Sequence, residues 1–276
     1  MPQIFFDYQS KIPPVWCTYC GDYGVLTALI YTFAGLDLDP SKIAVVSGIG
    51  CSGRLPAYTK TRGLHTVHGR AVPVAEGVKA ARPEWAVLAV GGDGDILGIG
   101  GGHLIHAARR NLPITTIMID NAIYGMTKGQ ASPTTGREET TRSTPYGNPE
   151  RPINPVLLAI ASGATFVARG FAGKAEELID ILGRAIRHNG FSFIHLFSPC
   201  VTFNPKESYR FFSEKVVMLE TPPGDKGEAM RLAVDEERLY LGRFYEEEAP
   251  TCLDNLQASS EEAGEKRMER LIDPFR

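Results

Sequence analysis

The sequence lacks a long apolar run and a strong net charge. In 276 residues, no apolar segment approaches the roughly 18 residues of a membrane span. The N-terminus shows no charged-then-apolar secretory signal, and a net charge of -3 gives no basic surface for nucleic acid. We therefore expect a cytoplasmic protein that binds neither nucleic acid nor a membrane.

Cysteine is also scarce, and sequence repeats are absent. Five cysteines in a chain of this length, without a secretory segment, argue against a disulfide scaffold and favour metal binding or redox chemistry. We find no repeat at the periods of solenoid proteins. The length is sufficient for a large core in one big domain or two small ones.

Apolar runs with strand character alternate with segments of helical character. Such alternation indicates an α/β fold with a doubly wound, mostly parallel sheet. The predicted strands are 43–47, 85–90, 114–119, 164–168 and 192–197, and the predicted helices lie near 22–34, 71–82, 103–110, 155–161, 174–188 and 205–213.

The composition changes at Pro222–Pro223, after which acidic residues outnumber basic ones. We therefore divide the chain into an α/β domain over residues 1–221 and a charged C-terminal extension over 222–276. The extension is interpreted either as a solvated helical tail or as a contact surface for a partner subunit.

The most informative motif is Gly92-Asp93-Gly94-Asp95, followed after 25 residues by Asn121. Asp93 and Asn121 each follow a predicted buried strand, and the carboxyl ends of neighbouring parallel strands lie at one edge of a sheet. A carboxylate, an amide oxygen and a nearby carbonyl suit Mg²⁺, which often holds a phosphate group as well. The alternative is that the triplet forms a simple turn and Asn121 caps a loop.

This spacing resembles the thiamine diphosphate motif. The resemblance implies that Asp93, Asn121 and the carbonyl of Ile123 hold Mg²⁺ and, through it, the diphosphate. Residues 127–155, which follow, are rich in Gly, Pro, Ser and Thr without apolar periodicity. We interpret them as a loop over the cofactor, with disorder as the alternative.

Four of the cysteines can converge at the same edge of the sheet. Cys17 and Cys20 precede a predicted helix, while Cys51 and Cys200 each follow a predicted strand. Four thiolates suit Zn²⁺ or an iron–sulfur cluster, and one Cys-x-x-Cys pair joined by two single cysteines favours the cluster. A thioredoxin-like dithiol would leave Cys51 and Cys200 unexplained, and Cys252 is interpreted as a small buried hydrophobe.

Five segments in order resemble the beta subunit of 2-oxoacid:ferredoxin oxidoreductases. The resemblance runs from about residue 14 to residue 205 and implies that Cys17, Cys20, Cys51 and Cys200 bind one [4Fe-4S] cluster. The matching segments are Trp16–Leu26, Gly48–Ser52, Gly63–Ala71, Gly92–Asp95 and Tyr124–Gln130.

The resemblance implies oxidative decarboxylation of a 2-oxoacid to acyl-CoA and CO₂. The short chain and the segment Cys20–Gly24 favour 2-oxoglutarate over pyruvate as the substrate. Coenzyme A takes the acyl group, and electrons pass through the cluster to ferredoxin. Thiamine enzymes use a glutamate to protonate the aminopyrimidine of the cofactor. No glutamate stands in any of the cofactor motifs of this chain, and in the family this glutamate comes from an alpha subunit. We therefore expect a heterodimer or a dimer of heterodimers. The alternatives are a non-oxidative thiamine decarboxylase and a zinc-stabilised nucleotide-binding module.

The resemblance also implies roles for individual residues. His68 is the candidate catalytic residue close to the cofactor, although a hydrogen-bonded core histidine is the alternative. Arg54 and Lys128 are either surface cations or ligands of a substrate carboxylate or a coenzyme A phosphate. Contacts to the diphosphate are expected from Gly94, Asp95, Gly125 and Met126, and contacts to the thiamine from Ile49, Gly50 and Ser52, with Cys51 joining cofactor and cluster.

Overall fold

The apolar runs of the chain form one eight-stranded sheet in the computed structural model, which describes residues 5–235 and 237–256. The central strands are apolar on both sides and buried on both faces, as expected for a parallel sheet covered by helices. The strands are β1 (Ile43–Ser47), β2 (Arg62–His65), β3 (Ala86–Gly92), β4 (Thr115–Asp120), β5 (Ile123–Tyr124), β6 (Gln130–Ala131), β7 (Phe166–Phe171), β8 (Ser192–Phe197), β9 (Val216–Met218) and β10 (Leu239–Glu246).

The sheet has the order β2-β1-β3-β4-β8-β7-β10-β9. Every neighbouring pair is parallel except β10 and β7, which are antiparallel. The short strands β5 and β6 form a separate antiparallel pair just beyond the end of β4. The carboxyl ends of β1, β3, β4 and β8 therefore share one edge of the sheet.

Helices cover both faces of this sheet. Helices α2 and α6 pack on one face, and α3, α4, α5 and α8 contribute to the core on the other. The prediction of a doubly wound, mostly parallel α/β fold is confirmed. The helices are α1 (Phe5–Tyr8), α2 (Asp22–Gly35), α3 (Ala71–Ala81), α4 (Gly101–Arg110), α5 (Pro155–Ala161), α6 (Ala175–Arg187), α7 (Tyr209–Lys215) and α8 (Lys226–Ala233).

Several elements differ from the sequence prediction, among them the following three. Strand β2 was missed because its residues are exposed at the edge of the sheet and carry no apolar run. The helix expected near 205–213 begins later, at Tyr209, because the Ser208 hydroxyl accepts a hydrogen bond from the amide of Phe211 and caps it there. Strand β10 was missed as well, and its antiparallel pairing breaks the strand–helix alternation.

The described part of the predicted C-terminal extension is joined to the core. Strand β10 pairs with β7 in the main sheet, and Ala229 and Ala233 of α8 are buried in the same core as β3 and β4. The rest of the extension, residues 257–276, lies outside the described residues. Among the helices of the described chain, none is long and apolar enough to cross a membrane.

Candidate cofactor and cluster site

The register of the central strands brings the predicted magnesium ligands together. Gly92 of β3 pairs with Ile119 of β4, so Asp93 and Asn121 leave the sheet at nearly the same level. The backbone between Asn121 and Ile123 turns sharply, with Ala122 at a φ of 55°, a left-handed conformation that is unusual for a residue with a Cβ. Strained turns of this kind occur preferentially at functional sites.

A cavity of about 320 Å³ opens at this edge of the sheet. It brings together every residue expected to touch thiamine diphosphate or Mg²⁺. A larger cavity of about 740 Å³ lies at the opposite edge, beside Lys79 and Trp85, away from all of these residues. The lining residues of the smaller cavity are Ile49, Gly50, Cys51, Ser52, His68, Gly92, Asp93, Gly94, Asp95, Asn121, Ile123, Tyr124, Gly125, Met126 and Thr127.

Asp93 is a buried carboxyl that faces a second acid across one hydroxyl. The Thr134 Oγ1 atom lies 2.7 Å from Asp93 Oδ2 and 2.8 Å from Asp120 Oδ1. Burial, together with the charge of Asp120, raises the pKa of Asp93 to about 7. Thr134 has a single hydroxyl proton, so it can donate to only one of the two carboxyls at a time.

A buried polar chain continues from Asp120 into the sheet. His195 Nε2 donates to Asp120 Oδ2 at 2.7 Å, and Arg169 Nε donates to His195 Nδ1 at 3.2 Å. Since Nδ1 accepts a hydrogen bond, the ring is neutral with its proton on Nε2, and burial lowers the pKa of His195 accordingly. Burial alone would raise the pKa of Asp120, but the interactions with His195, Thr134 and the amide of Ala122 together outweigh burial, and the net pKa is lowered.

Asp95 organises the opposite wall of the cavity. Its Oδ1 atom accepts hydrogen bonds from the backbone amides of Ile49, at 2.9 Å, and Gly69, at 2.8 Å. The same oxygen lies 2.8 Å from His68 Nδ1, which leaves Nε2 of His68 for the cavity. A Cβ at Gly48 would lie 1.9 Å from Asp95 Oδ2, so only glycine fits there.

The Gly94 position shows how closely the chain packs around the cavity. The Tyr124 hydroxyl donates to the Gly94 carbonyl at 3.2 Å, and a Cβ at Gly94 would lie 2.1 Å from the Tyr124 ring. The segment Gly94–Ile99 is a π-helix that begins directly after Asp93, and π-helical turns occur frequently at functional sites. Gly94 and Asp95 in its buried first turn line the cavity.

The cysteine-bearing segments meet beside this cavity. The Trp16 indole donates to the Cys51 carbonyl at 2.7 Å, and the amide of Gly21 donates to the Pro199 carbonyl at 3.2 Å. These bonds tie the Cys17–Cys20 loop to the segments of Cys51 and Cys200. A Cβ built at Gly125 would lie 3.6 Å from the sulfur of Cys200 and 4.0 Å from that of Cys51.

The four thiols fit a positively charged inorganic group. Burial raises the pKa of Cys51 to about 11 and also raises the pKa values of Cys20 and Cys200. Neighbouring thiolates add to these shifts, so the sulfur atoms interact electrostatically. Three backbone amides, of Thr202, Phe203 and Asn204, donate towards Cys200 and counteract the shift there. Ionised together, these thiolates require nearby positive charge, as bound iron supplies.

The described side chains do not gather tightly around one point. In the ranges 5–235 and 237–256, no three His, Cys, Asp or Glu side chains come close enough together to hold one ion. Among the described residues all five cysteines are free, and Cys252 follows Ala249 and Pro250, whose carbonyls accept hydrogen bonds from Asn111 at the end of α4.

Sequence reasoning missed three polar residues near these sites. Thr134 lies within the long 127–155 segment, and no sequence pattern marks it out. Asp22 stands in the Cys-Gly-Asp motif, where its buried carboxyl could have been noticed from its position beside the cysteines. Glu207 is partly buried, and burial, together with the charges of Asp120 and Asp93, raises its pKa to about 8.

The long segment 127–155 is fixed by its own hydrogen bonds. The Asn148 side chain donates to the carbonyls of Thr135 and Gly136 at 3.0 and 3.3 Å, and the amide of Ile153 donates to the Pro133 carbonyl at 2.8 Å. The segment reaches the candidate magnesium site through Thr134. Of the two interpretations of this stretch, its internal bonding favours the loop.

Two family profiles match successive parts of the chain. Residues 48–196 match the C-terminal thiamine pyrophosphate binding domain of thiamine pyrophosphate enzymes. Residues 200–261 match the C-terminal part of the pyruvate ferredoxin oxidoreductase beta subunit. The first match covers the cavity, and the second begins at Cys200.

Whole-chain relatives extend this likeness. A 2-oxoacid:ferredoxin oxidoreductase beta subunit from Sulfolobus sp is 38% identical, with 94% of each chain covered. The chain belongs to the beta-subunit family of 2-oxoacid:ferredoxin oxidoreductases. Another member, the 2-oxoglutarate synthase subunit KorB of Methanocaldococcus jannaschii, is 35% identical over 92% of this chain and 96% of its own.

The fold of this beta subunit is shared by a solved structure. A 2-oxoglutarate:ferredoxin oxidoreductase from Magnetococcus marinus, with 2-oxoglutarate, coenzyme A and succinyl-CoA bound, superposes with a TM-score of 0.93 at 40% identity. The match covers 98% of this chain and 95% of that one. The predicted family, the thiamine-enzyme fold and the enzyme class are therefore confirmed.

Proposed function

We propose that this beta subunit binds thiamine diphosphate and Mg²⁺ in the cavity of about 320 Å³ and one [4Fe-4S] cluster on Cys17, Cys20, Cys51 and Cys200. With an alpha subunit it oxidises a 2-oxoacid to acyl-CoA and CO₂ and delivers the electrons to ferredoxin. The observation that carries the proposal is the shared wall at Gly125, which borders both the cavity and the sulfur atoms of Cys51 and Cys200.

Asp93, the Asn121 amide oxygen and the Ile123 carbonyl are the proposed magnesium ligands. They supply only oxygen atoms, which Mg²⁺ prefers, and Asp93 is placed by Thr134. Backbone atoms of Gly94 and Asp95, with Gly125 and Met126, are the proposed contacts of the diphosphate. The Oδ1 atom of Asp95 is engaged by the protein itself, and the proposed contact of this residue with the cofactor is through its backbone.

His68 is the proposed catalytic residue of this chain. Its Nδ1 is held by Asp95, and its ring stands edge-on to Tyr124, with 6.2 Å between the ring centres. Thiamine diphosphate supplies the carbanion chemistry when it is bound, and the protein supplies orientation and electrostatics. His68 Nε2 is placed to donate or accept a hydrogen bond in the cavity.

Cys51 is the proposed link between cofactor and cluster. It lines the cavity between Gly50 and Ser52 and carries one of the four thiols, so one turn of chain contacts both groups. Its carbonyl is fixed by Trp16, which holds this turn against the Cys17–Cys20 loop. Ile49, Gly50 and Ser52 complete the proposed thiamine wall.

The exposed rim of the cavity supports an alpha subunit as the partner. Val67 and Ile99, close to the mouth, are 69% and 59% exposed, and Met126 is 42% exposed. No glutamate belongs to the cavity lining formed by the described residues, although thiamine enzymes use one on the aminopyrimidine. We propose that the alpha subunit covers this rim and contributes that glutamate.

The proposed substrate is 2-oxoglutarate in preference to pyruvate. Support comes from the relatives named 2-oxoglutarate synthase and from the Magnetococcus marinus protein. Arg54 and Lys128 are exposed cations next to the lining residues, and we propose that they bind the distal carboxylate or a phosphate of coenzyme A. Replacing either by Ala should then raise KM for 2-oxoglutarate or coenzyme A and leave KM for pyruvate nearly unchanged.

The proposed function is tested on anaerobically purified protein with and without the alpha subunit. We expect a brown protein with iron and sulfide, and 2-oxoglutarate-dependent reduction of ferredoxin only when both subunits and coenzyme A are present. A colourless protein that carries stoichiometric zinc would overturn the cluster assignment. Turnover by this chain alone would overturn the shared active site.

A further inference from the structure

One buried carboxylate connects three segments that carry cysteines. Asp22 is 1% exposed and opens helix α2, two residues after Cys20. Its Oδ1 accepts a hydrogen bond from the hydroxyl of Ser198, at 3.1 Å. The hydroxyl of Ser52, the residue after Cys51, donates to its Oδ2 at 3.2 Å. Ser198 in turn lies two residues before Cys200.

The contact between Asp22 and Ser198 requires glycine at position 21. A Cβ at Gly21 would lie 2.3 Å from the Ser198 hydroxyl, so the Cys-Gly-Asp motif needs its glycine for the Asp22 carboxylate to approach Ser198. Gly21 also donates its amide to the carbonyl of Pro199. The motif is thus built around the placement of Asp22.

The charge of Asp22 is not cancelled by a cation. Within residues 5–235 and 237–256, its hydrogen-bonding side chains are the two serines, and no salt bridge involves it. Burial raises the pKa of Asp22 to about 6, whereas the hydrogen bonds from Ser198 and Ser52 and its position at the first turn of α2 favour the ionised form. The same charge acts on the thiols of Cys20 and Cys51, where it raises both pKa values.

We propose that Asp22 sets the reduction potential of the iron–sulfur cluster by holding a buried negative charge against it. Because reduction adds an electron to the cluster, a nearby negative charge disfavours the reduced form. The potential is then lower than the cysteines and amides alone would give. The cluster becomes a stronger reductant for a low-potential acceptor, and this inference rests on the proposed function.

Asp22→Asn separates charge from shape. The amide oxygen of Asn can accept from both serines, since Ser198 and Ser52 lie 3.1 and 3.4 Å from the same Asp22 oxygen. In the assembled enzyme at pH 8, an EPR-monitored redox titration should show a tenfold or larger increase in the equilibrium constant for reduction. That corresponds to a rise of about 59 mV for one electron. The matched control is Asp180→Asn on the exposed face of α6, whose potential should equal that of the wild type.

The outcomes separate this inference from the proposed function. A cluster present in both proteins with equal potentials overturns the role of Asp22 alone. A wild-type enzyme without iron overturns the proposed function and the inference with it. If Asp22→Asn fails to assemble the cluster, Ser198→Ala decides: loss of a hydroxyl dipole that partly neutralises Asp22 should lower the potential, and an unchanged value overturns the inference.

Discussion

The magnesium side and the cysteine side of the site share one edge of the sheet but are built differently. Asp93 and Asn121 follow directly from paired strands, so the register of the sheet fixes them. The cysteines stand on loops and at the start of a helix, held together by isolated contacts such as those of Trp16 and Asp22. The first site depends on topology and the second on a few specific bonds.

The two sites also differ in the polar groups that surround their carboxylates. Asp93 connects through Thr134 to a buried chain that ends on Arg169, a cation packed between two aromatic rings. Asp22 ends on two serines, without a cation. The carboxylate that we propose as a magnesium ligand is thus embedded in a network with compensating positive charge, whereas the carboxylate beside the cysteines has no cation as a partner among the described residues.

The largest expected effect separates the two sites completely. Asp93→Ala should abolish Mg²⁺-dependent binding of thiamine diphosphate, because it removes the one carboxylate among the proposed ligands, and leave the iron content unchanged. Cys200→Ala should do the reverse, since Cys200 does not line the cavity. Isothermal calorimetry and iron analysis of the purified complex measure both.

The chain offers a matched control for the cysteine. Cys252 follows Ala249 and Pro250, whose carbonyls accept hydrogen bonds from Asn111 at the end of α4, on the opposite edge of the sheet. Cys252→Ala should therefore retain full iron. Unchanged cofactor affinity in Asp93→Ala would remove the magnesium assignment, and full iron in Cys200→Ala would remove that cluster ligand.

A smaller effect tests whether the long loop belongs to the magnesium side. Thr134→Val removes the hydroxyl between Asp93 and Asp120 and leaves two buried acids facing one another. We expect the affinity for Mg²⁺ to fall about tenfold, or about 1.4 kcal/mol, in calorimetry at saturating thiamine diphosphate. Thr134→Ser keeps the hydroxyl and should restore most of the affinity. Equal affinities for the Val and Ser variants would show that the loop does not position Asp93.

The sequence predicted the magnesium side, which the register of the sheet places, better than the cysteine side, which isolated hydrogen bonds hold together. Alternating apolar runs were sufficient to place β3 and β4, and therefore Asp93 and Asn121. The convergence of the cysteines could be anticipated from a parallel sheet, but their grouping relied on the family resemblance. Thr134 could not be predicted, since its contact joins residues 41 positions apart through a loop without periodicity. Strand β10 was missed because it follows the last segment of the alternating strands and helices and pairs antiparallel with β7.

The smallest expected effect concerns Glu207, which lies near the acids of the magnesium side. Its pKa is raised from 4.5 to about 8, so the folded chain keeps this proton at pH values where the unfolded chain has lost it. Stability of the metal-free protein should therefore fall as pH rises from about 4.5 to about 8.

Glu207→Gln does not titrate and should match the wild type at the acid end. At pH 8 it should be more stable by about 1 kcal/mol, a partial value because the side chain is only partly buried. Urea unfolding at both pH values measures this, with Glu214→Gln on the exposed face of α7 as the control. Equal stabilities of Glu207→Gln and wild type at pH 8 would mean that Glu207 does not share the electrostatic field of Asp93 and Asp120, and the acidic region would then end at those two residues.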